Sequence, residues 1–215
     1  MSFINKIRWL IHLIIVSQAA RLNFTLACGA LLNFAYILSN VFSAAVYRSV
    51  WSATVSIYHL ILVIIRVYLL SARRVSQKSV NVDRLLLRVG VLLLFLDLAS
   101  ASMMVYTVRQ GSFVKYSGIA LFAFLFYAIY SLVVSVKVVK KRENDNNHLH
   151  FVAKNISLST SLMSVFNLQY SVFSLLGADA ALTGRAILLG GISVFTVILF
   201  LSVRLIKQAG RWAEK

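Results

Sequence analysis

The stretch LLLRVGVLLLFLDLASASMMVYT, residues 85–107, decides the fold. As an α-helix it would extend about 34 Å, enough to cross a hydrocarbon core about 30 Å thick. It holds one cation near its start, Arg88, and one carboxyl at its middle, Asp97. Before it stands SARRVSQKSVNVDR (71–84), polar and basic; after it come Arg109, Gln110 and Gly111. Outward in both directions the same alternation of apolar run and polar break continues. The breaks are Tyr47-Arg48-Ser49, KKRENDNNHLH (140–150) and Gly177-Ala178-Asp179. They predict spans over 24–46, 50–70, 85–107, 114–137, 153–176 and 183–206. Composition agrees: 60% of the chain is hydrophobic and 13% charged, against about 45–50% and about 25% in soluble domains. The mean hydropathy is +0.84. A soluble domain, a disordered chain and a disulfide-stapled module are excluded, and the single cysteine, Cys28, has no partner. The chain contains no proline, so the helices should run unbroken, unlike those of many carriers. The expected fold is all-α: a polytopic membrane protein with six transmembrane helices.

Charge sets the orientation. The net charge is +16, from 22 Lys and Arg against 6 Asp and Glu. Of those cations only Arg48, Arg109, Lys115 and Arg185 fall on one side, in or next to the short breaks. The rest lie at the two ends and in the two longer loops. The positive-inside rule then puts both termini in the cytoplasm. Basic loops at that face attract anionic lipid headgroups, which explains the charge without a nucleic-acid partner. Residues 1–20 carry Lys6 and Arg8 ahead of WLIHLIIV, an apolar core too short to span. They read as an amphipathic helix in the cytoplasmic interface. A cleaved signal peptide ending near SQAA would make the first span enter from outside and invert the charge asymmetry.

The six spans divide into three sequential hairpins: 21–74, 75–142 and 143–215. The odd spans carry a polar residue near their middle, Asn33, Asp97 and Asn167, 64 and 70 positions apart. The even spans end on a cation: Arg66, Lys137 and Arg204. A repeat of about 67 residues around a pseudo-three-fold axis would account for both series. It would also bring the three mid-span groups to one level.

Ionisable groups inside a membrane are costly and are functional candidates by default. Asp97 is the only acidic residue within a span, with Ser100 one turn further on. His59 sits mid-span and could pair with Asp97. Tyr36 and Tyr170 follow Asn33 and Asn167 by three residues, and Gln169 lies beside them. Together these residues define an expected midplane polar site. Arg66 and Arg88 lie near the cytoplasmic interface with Lys137 and Arg204. There they either snorkel or form a mouth that gathers anions. The aromatic run of the fourth span (Phe122, Phe124, Phe126, Tyr127, Tyr130) reads as lipid-facing or core. His148 and His150, with Glu143 and Asp145, lie in a polar loop without the spacing of a metal site. No phosphate loop, nucleophile elbow or catalytic carboxylate pair is present. We therefore expect no enzyme activity, no cofactor and no metal.

LNFAYILSNVFSAAVYRSVWSATVSIYHLIL (32–62), DLASASMMVYTVRQG (97–111) and KNISLSTSLMSVFNLQYSVF (154–173) resemble a family of six-span membrane proteins of gut Firmicutes. The shared features are an Asn-rich first span, a Tyr-Arg-Ser-x-Trp turn and a tyrosine pair in the second span, here Tyr58-His59. The resemblance implies a bacterial inner membrane. Some members are labelled permeases, and no activity is established for them. The sequence points to a small transporter or channel-like permease for an ion or small solute, with its polar site around Asp97. The alternative is a non-transporting scaffold or regulator that binds anionic lipid or a partner protein. Monomers and homo-oligomers both suit six short-looped spans. The orientation predicts that a green fluorescent protein fused after Lys215 is fluorescent, whereas alkaline phosphatase fused there is inactive; active phosphatase would invert the topology.

Overall fold

The computed structural model describes residues 18–74, 82–111, 113, 116, 118–140, 148–176 and 179–213. They form α1 (Gln18–Tyr47), α2 (Val50–Arg74), α3 (Val82–Gln110), α4 (Gly118–Lys140), α5 (His148–Leu176) and α6 (Ala180–Ala213). The polar breaks act as caps. At the α1–α2 turn Arg48 adopts a left-handed backbone, φ 49°, which reverses the chain within two residues. Ser49 then caps α2, its hydroxyl accepting from the Ser52 N–H at 3.1 Å. Asp179 caps α6 in the same way, accepting from the Ala181 N–H at 3.1 Å. Its carboxylate also complements the positive end of the helix dipole.

Four helices are long and apolar enough to cross a membrane: Ala27–Tyr47, Val50–Leu69, Arg84–Gln110 and Ala180–Gly210. α4 has a shorter apolar stretch, Leu121–Val136. α5 falls short for a reason visible in its packing. It touches each of the other five helices. Its faces carry buried Ser159, Thr160, Ser161, Ser164, Asn167, Ser171 and Ser174 as well as Ile156, Met163 and Phe166. A helix enclosed by protein has no need of an apolar exterior. The helices around it do have one: Phe95, Ile119, Phe126, Leu189 and Phe200 are among their most exposed side chains. An apolar outside over a polar inside would be unstable in water and suits a bilayer.

Small polar residues let α4 and α5 approach closely. Ser131 meets Ser164 at 2.7 Å and Ser135 meets Ser161 at 2.5 Å. The Ser161 and Ser135 hydroxyls also donate across to the Ser131 and Ser157 carbonyls. Such interhelical hydrogen bonds are each worth roughly 0.6 kcal/mol in a membrane, up to about 1.7.

The pairing departs from three packed sequential hairpins. α1 packs on α2, but α3 packs on α6 and α4 on α5, and the described parts of α3 and α4 do not touch. Glycine explains the α3–α6 partnership. A Cβ on Gly90 would lie 2.8 Å from Ile206 Cγ1 and 3.2 Å from Leu205 Cβ, so only glycine allows this approach. The expected interfacial helix over 1–20 lies outside the described residues up to Ser17, and Gln18 to Ala20 already belong to α1. The pairing predicts a disulfide between Gly90→Cys and Ile206→Cys in a Cys28→Ser background, seen as a mobility shift under oxidation. Efficient cross-linking between α3 and α4 instead would contradict it.

Candidate functional site

Asn167 stands at the centre of the bundle, fully buried. Its Oδ1 accepts from the Trp51 indole N–H at 2.9 Å. Its Nδ2 donates to the Tyr36 hydroxyl at 2.6 Å and to Asn40 Oδ1 at 3.4 Å. Asn40 in turn donates to the Tyr36 carbonyl, one turn back on α1. One amide thus ties α5 to α1 and α2. Aromatic rings extend the cluster. Tyr36 stacks on Tyr127 of α4 at 4.1 Å and 16°, and His59 meets Tyr36 edge-on at 4.6 Å. Trp51 packs against Tyr170 and Phe166. Tyr127 donates its hydroxyl to Asn33 Oδ1.

Clefts reach this cluster from two levels. The first lies at the α1–α2 turn, lined by Tyr47, Arg48, Trp51, Thr107, Gln110 and Tyr170 among others. It holds about 720 Å³ of empty space, its open mouth included. The second lies between α1, α2, α4 and α5, lined by Gly29, Asn33, Arg66, Tyr127, Ser135 and Thr160 among others, and is far tighter, with closed space for about one water-sized group. Trp51 lines one cleft and Arg66 the other, about 22 Å further along the same helix. The second cleft occupies the half of the bundle that holds the basic loops. Between the clefts stand Tyr36 and Asn167, joined to both through Trp51 and Tyr127.

Arg66 does not snorkel. It turns inward, only 5% exposed, and donates from Nη2 to the Thr160 hydroxyl at 3.1 Å. Its Nη1 occupies the space that a Cβ on Gly29 would fill, 1.7 Å away. No carboxylate pairs with it among the described residues. Arg88 is exposed, as snorkelling requires, and so is Arg204, which stacks over the Phe151 ring at 5.2 Å. The basic ends of the second and sixth helices therefore lie in different settings. The side chain of Lys137 lies outside the described parts.

The remaining expected site residues divide. Asn33, Tyr36 and Asn167 do meet, through Tyr127 and each other. Tyr170 lines the first cleft. Asp97 is buried with no hydrogen bond to Asn33 or Asn167, and one of its oxygens has no hydrogen-bond partner. The Tyr58 hydroxyl on α2 likewise has none. His59 is not Asp97's partner. Tyr58 and His59 are consecutive, so they point about 100° apart: Tyr58 toward Asp97, His59 toward Tyr36 and Tyr127. Neither His59 nitrogen is hydrogen-bonded. Ser100 is buried one turn beyond Asp97. Gln169 faces α6, donating to the Ala186 carbonyl at 3.1 Å over Gly190, and serves packing. Among the described residues no cluster could hold a metal ion; Glu143, Asp145 and the side chains of His148 and His150 lie outside them. The sequence reading missed Trp51, Tyr127 and Thr160. Trp51 had a signal, an indole two residues into a span, where a buried N–H needs an acceptor.

No family model, no curated protein and no solved structure matches the chain.

Replacing Asn167 by Leu leaves the Trp51 N–H and the Tyr36 hydroxyl without this partner. We expect a loss of about 1–3 kcal/mol of stability, read by steric-trap unfolding in bicelles. Trp51→Phe on top of it should cost less than it does alone, because the two share one bond. Additive losses would contradict the network.

Proposed function

We propose that this protein is a multi-pass membrane permease in which all six helices span the bilayer and α5 forms the core of the path. The observation that carries the reading is the pair of clefts separated by one buried cluster. A solute would enter one cleft, pass the Tyr36–Asn167 barrier, and leave by the other. α5 qualifies as a span because its polar face is covered by protein rather than lipid. α4 would span with its short apolar stretch accommodated by local thinning of the bilayer and by snorkelling of the residues at its ends. The barrier suits a gate. It is held by a few hydrogen bonds and ring contacts, each of modest worth, so rearranging it is inexpensive compared with unfolding a helix. Opening one cleft while closing the other would let a solute cross without a continuous pore.

Asp97, on α3, and Tyr58, on α2, stand outside the clefts' lining, and α2 also carries both Trp51 and Arg66. A buried carboxyl there is a candidate for proton or cation coupling, because its charge state would alter how α2 and α3 pack. A scaffold reading explains the basic loops equally well but leaves both clefts and the buried Arg66 without a role.

The test uses proteoliposomes on a supported membrane under imposed H⁺, Na⁺, K⁺ and Cl⁻ gradients. Single cysteines at Val50 and Val134, one in each cleft, are introduced with Cys28→Ser. We expect charge movement in the protein, and a bulky thiol adduct at either position should suppress it. An impermeant reagent should reach Val50→Cys from outside and Val134→Cys from the cytoplasm. Silence under every gradient, with both cysteines reached from one side only, would overturn the permease reading.

A further inference from the structure

The cleft around Arg66 holds two buried donors with nothing to donate to. Arg66 Nε and Asn33 Nδ2 both have no hydrogen-bond partner, both side chains are at least nine-tenths buried, at 5% and 1% exposure, and both line this cleft. A guanidinium remains charged in proteins and accepts nothing. An amide Nδ2 likewise only donates. Other groups nearby are already spent. The Thr160 hydroxyl donates to the Ile156 carbonyl while accepting from Arg66. Ser135 donates to the Ser157 carbonyl, and Tyr127 to Asn33. The buried polar atoms of this lining that have no hydrogen-bond partner are therefore both donors, one of them on a positively charged group.

Leaving such a charge unpaired in the interior is costly, and the chain has made room for it. Gly29 provides the space in which the guanidinium lies. Hydrogen bonding to Thr160 fixes its direction. The apolar side chains of Leu32 and Val134 also line the cleft. A planar fork of N–H groups beside an amide N–H is the donor pattern that an oxyanion completes.

We propose that the Arg66 cleft is an oxyanion-binding site, and that it takes a carboxylate or phosphate group, with Arg66 Nε and Asn33 Nδ2 as its two direct donors. The role of the site as a solute's binding point rests on the permease reading above; binding itself does not. The group could belong to a soluble solute or to a lipid headgroup, since both present the same oxygens. The basic loops at this end of the bundle would raise the local concentration of either.

The experiment measures thermal unfolding of the full chain in neutral detergent, titrated with acetate, inorganic phosphate or chloride at constant ionic strength. A parallel series replaces the salts by phosphatidylglycerol in mixed micelles. Ligands that bind only the folded state raise the unfolding temperature with a saturating dependence. We expect saturable stabilisation by acetate or phosphate but not by chloride if the source is soluble, and by phosphatidylglycerol alone if it is lipid. Arg66→Gln and Gly29→Ala should each weaken it by about 30-fold or more. Gly29→Ala keeps the charge and only displaces the guanidinium, which separates a built site from general electrostatic attraction. Arg88→Gln, an exposed neighbour, should leave it unchanged. If Arg66→Gln does not fold, Asn33→Ala and Gly29→Ala carry the comparison. Stabilisation absent with every probe, or retained in the folded variants, overturns the proposal. Binding without any charge movement in proteoliposomes overturns the permease reading alone. Charge movement that persists in Arg66→Gln, with no oxyanion binding, overturns this inference alone.

Discussion

One polar helix inside a bundle of apolar ones sets the terms for the rest of this molecule. The hydroxyls and amides buried on α5 need partners within the protein, and of them Ser159 Oγ has none. The Ser131–Ser164 and Ser135–Ser161 pairs meet that demand toward α4. Asn167 meets it toward α1 and α2, with the Tyr36 hydroxyl and the Trp51 indole. Once α5 is enclosed in this way, α3 has no place beside α4. It packs instead on α6, where Gly90 admits the Leu205–Ile206 ridge.

The same demand explains where function can reside. Groups on α5 that complete their bonding, such as Asn167 and Ser161, hold the bundle together. Groups around it such as Arg66 Nε and Asn33 Nδ2 have no partner in the protein, and an oxyanion would complete them in the site we propose. The two sets share elements: Asn33 receives the Tyr127 hydroxyl, and Tyr127 stacks on Tyr36, which Asn167 holds. Filling the Arg66 cleft would therefore be felt at the barrier through one ring stack and two hydrogen bonds. That short path is a physical basis for coupling binding to gate movement.

Much of the architecture was legible in the sequence, and the limits have physical causes. Six apolar runs gave the helices closely: the span read over 50–70 lies within Val50–Arg74, and that over 183–206 within Ala180–Ala213. Tyr47-Arg48-Ser49 was a readable break because a serine cap follows the arginine. Pairing was not readable, since short connections bring helix ends together without making their faces pack. The polar middle residues of the odd spans looked equivalent, but the Asn167 side chain has three partners while one Asp97 oxygen has none. Arg66 looked like a snorkelling cation. Its inward turn depends on Gly29 and Thr160, on other helices, and no local pattern announces that. The hydroxyls of 157–174 were an unused signal, since their spacing covers more than one side of a helix.

The central claim is that two clefts share one barrier and open in alternation. Double electron–electron resonance would test it most directly, with one spin-label pair across the first cleft at Val50 and Gln110 and another across the second at Leu32 and Val134. The account predicts two distance populations for each pair, with phosphate or acetate shifting the two pairs in opposite senses. A single distance for both pairs, unmoved by either anion, would contradict it.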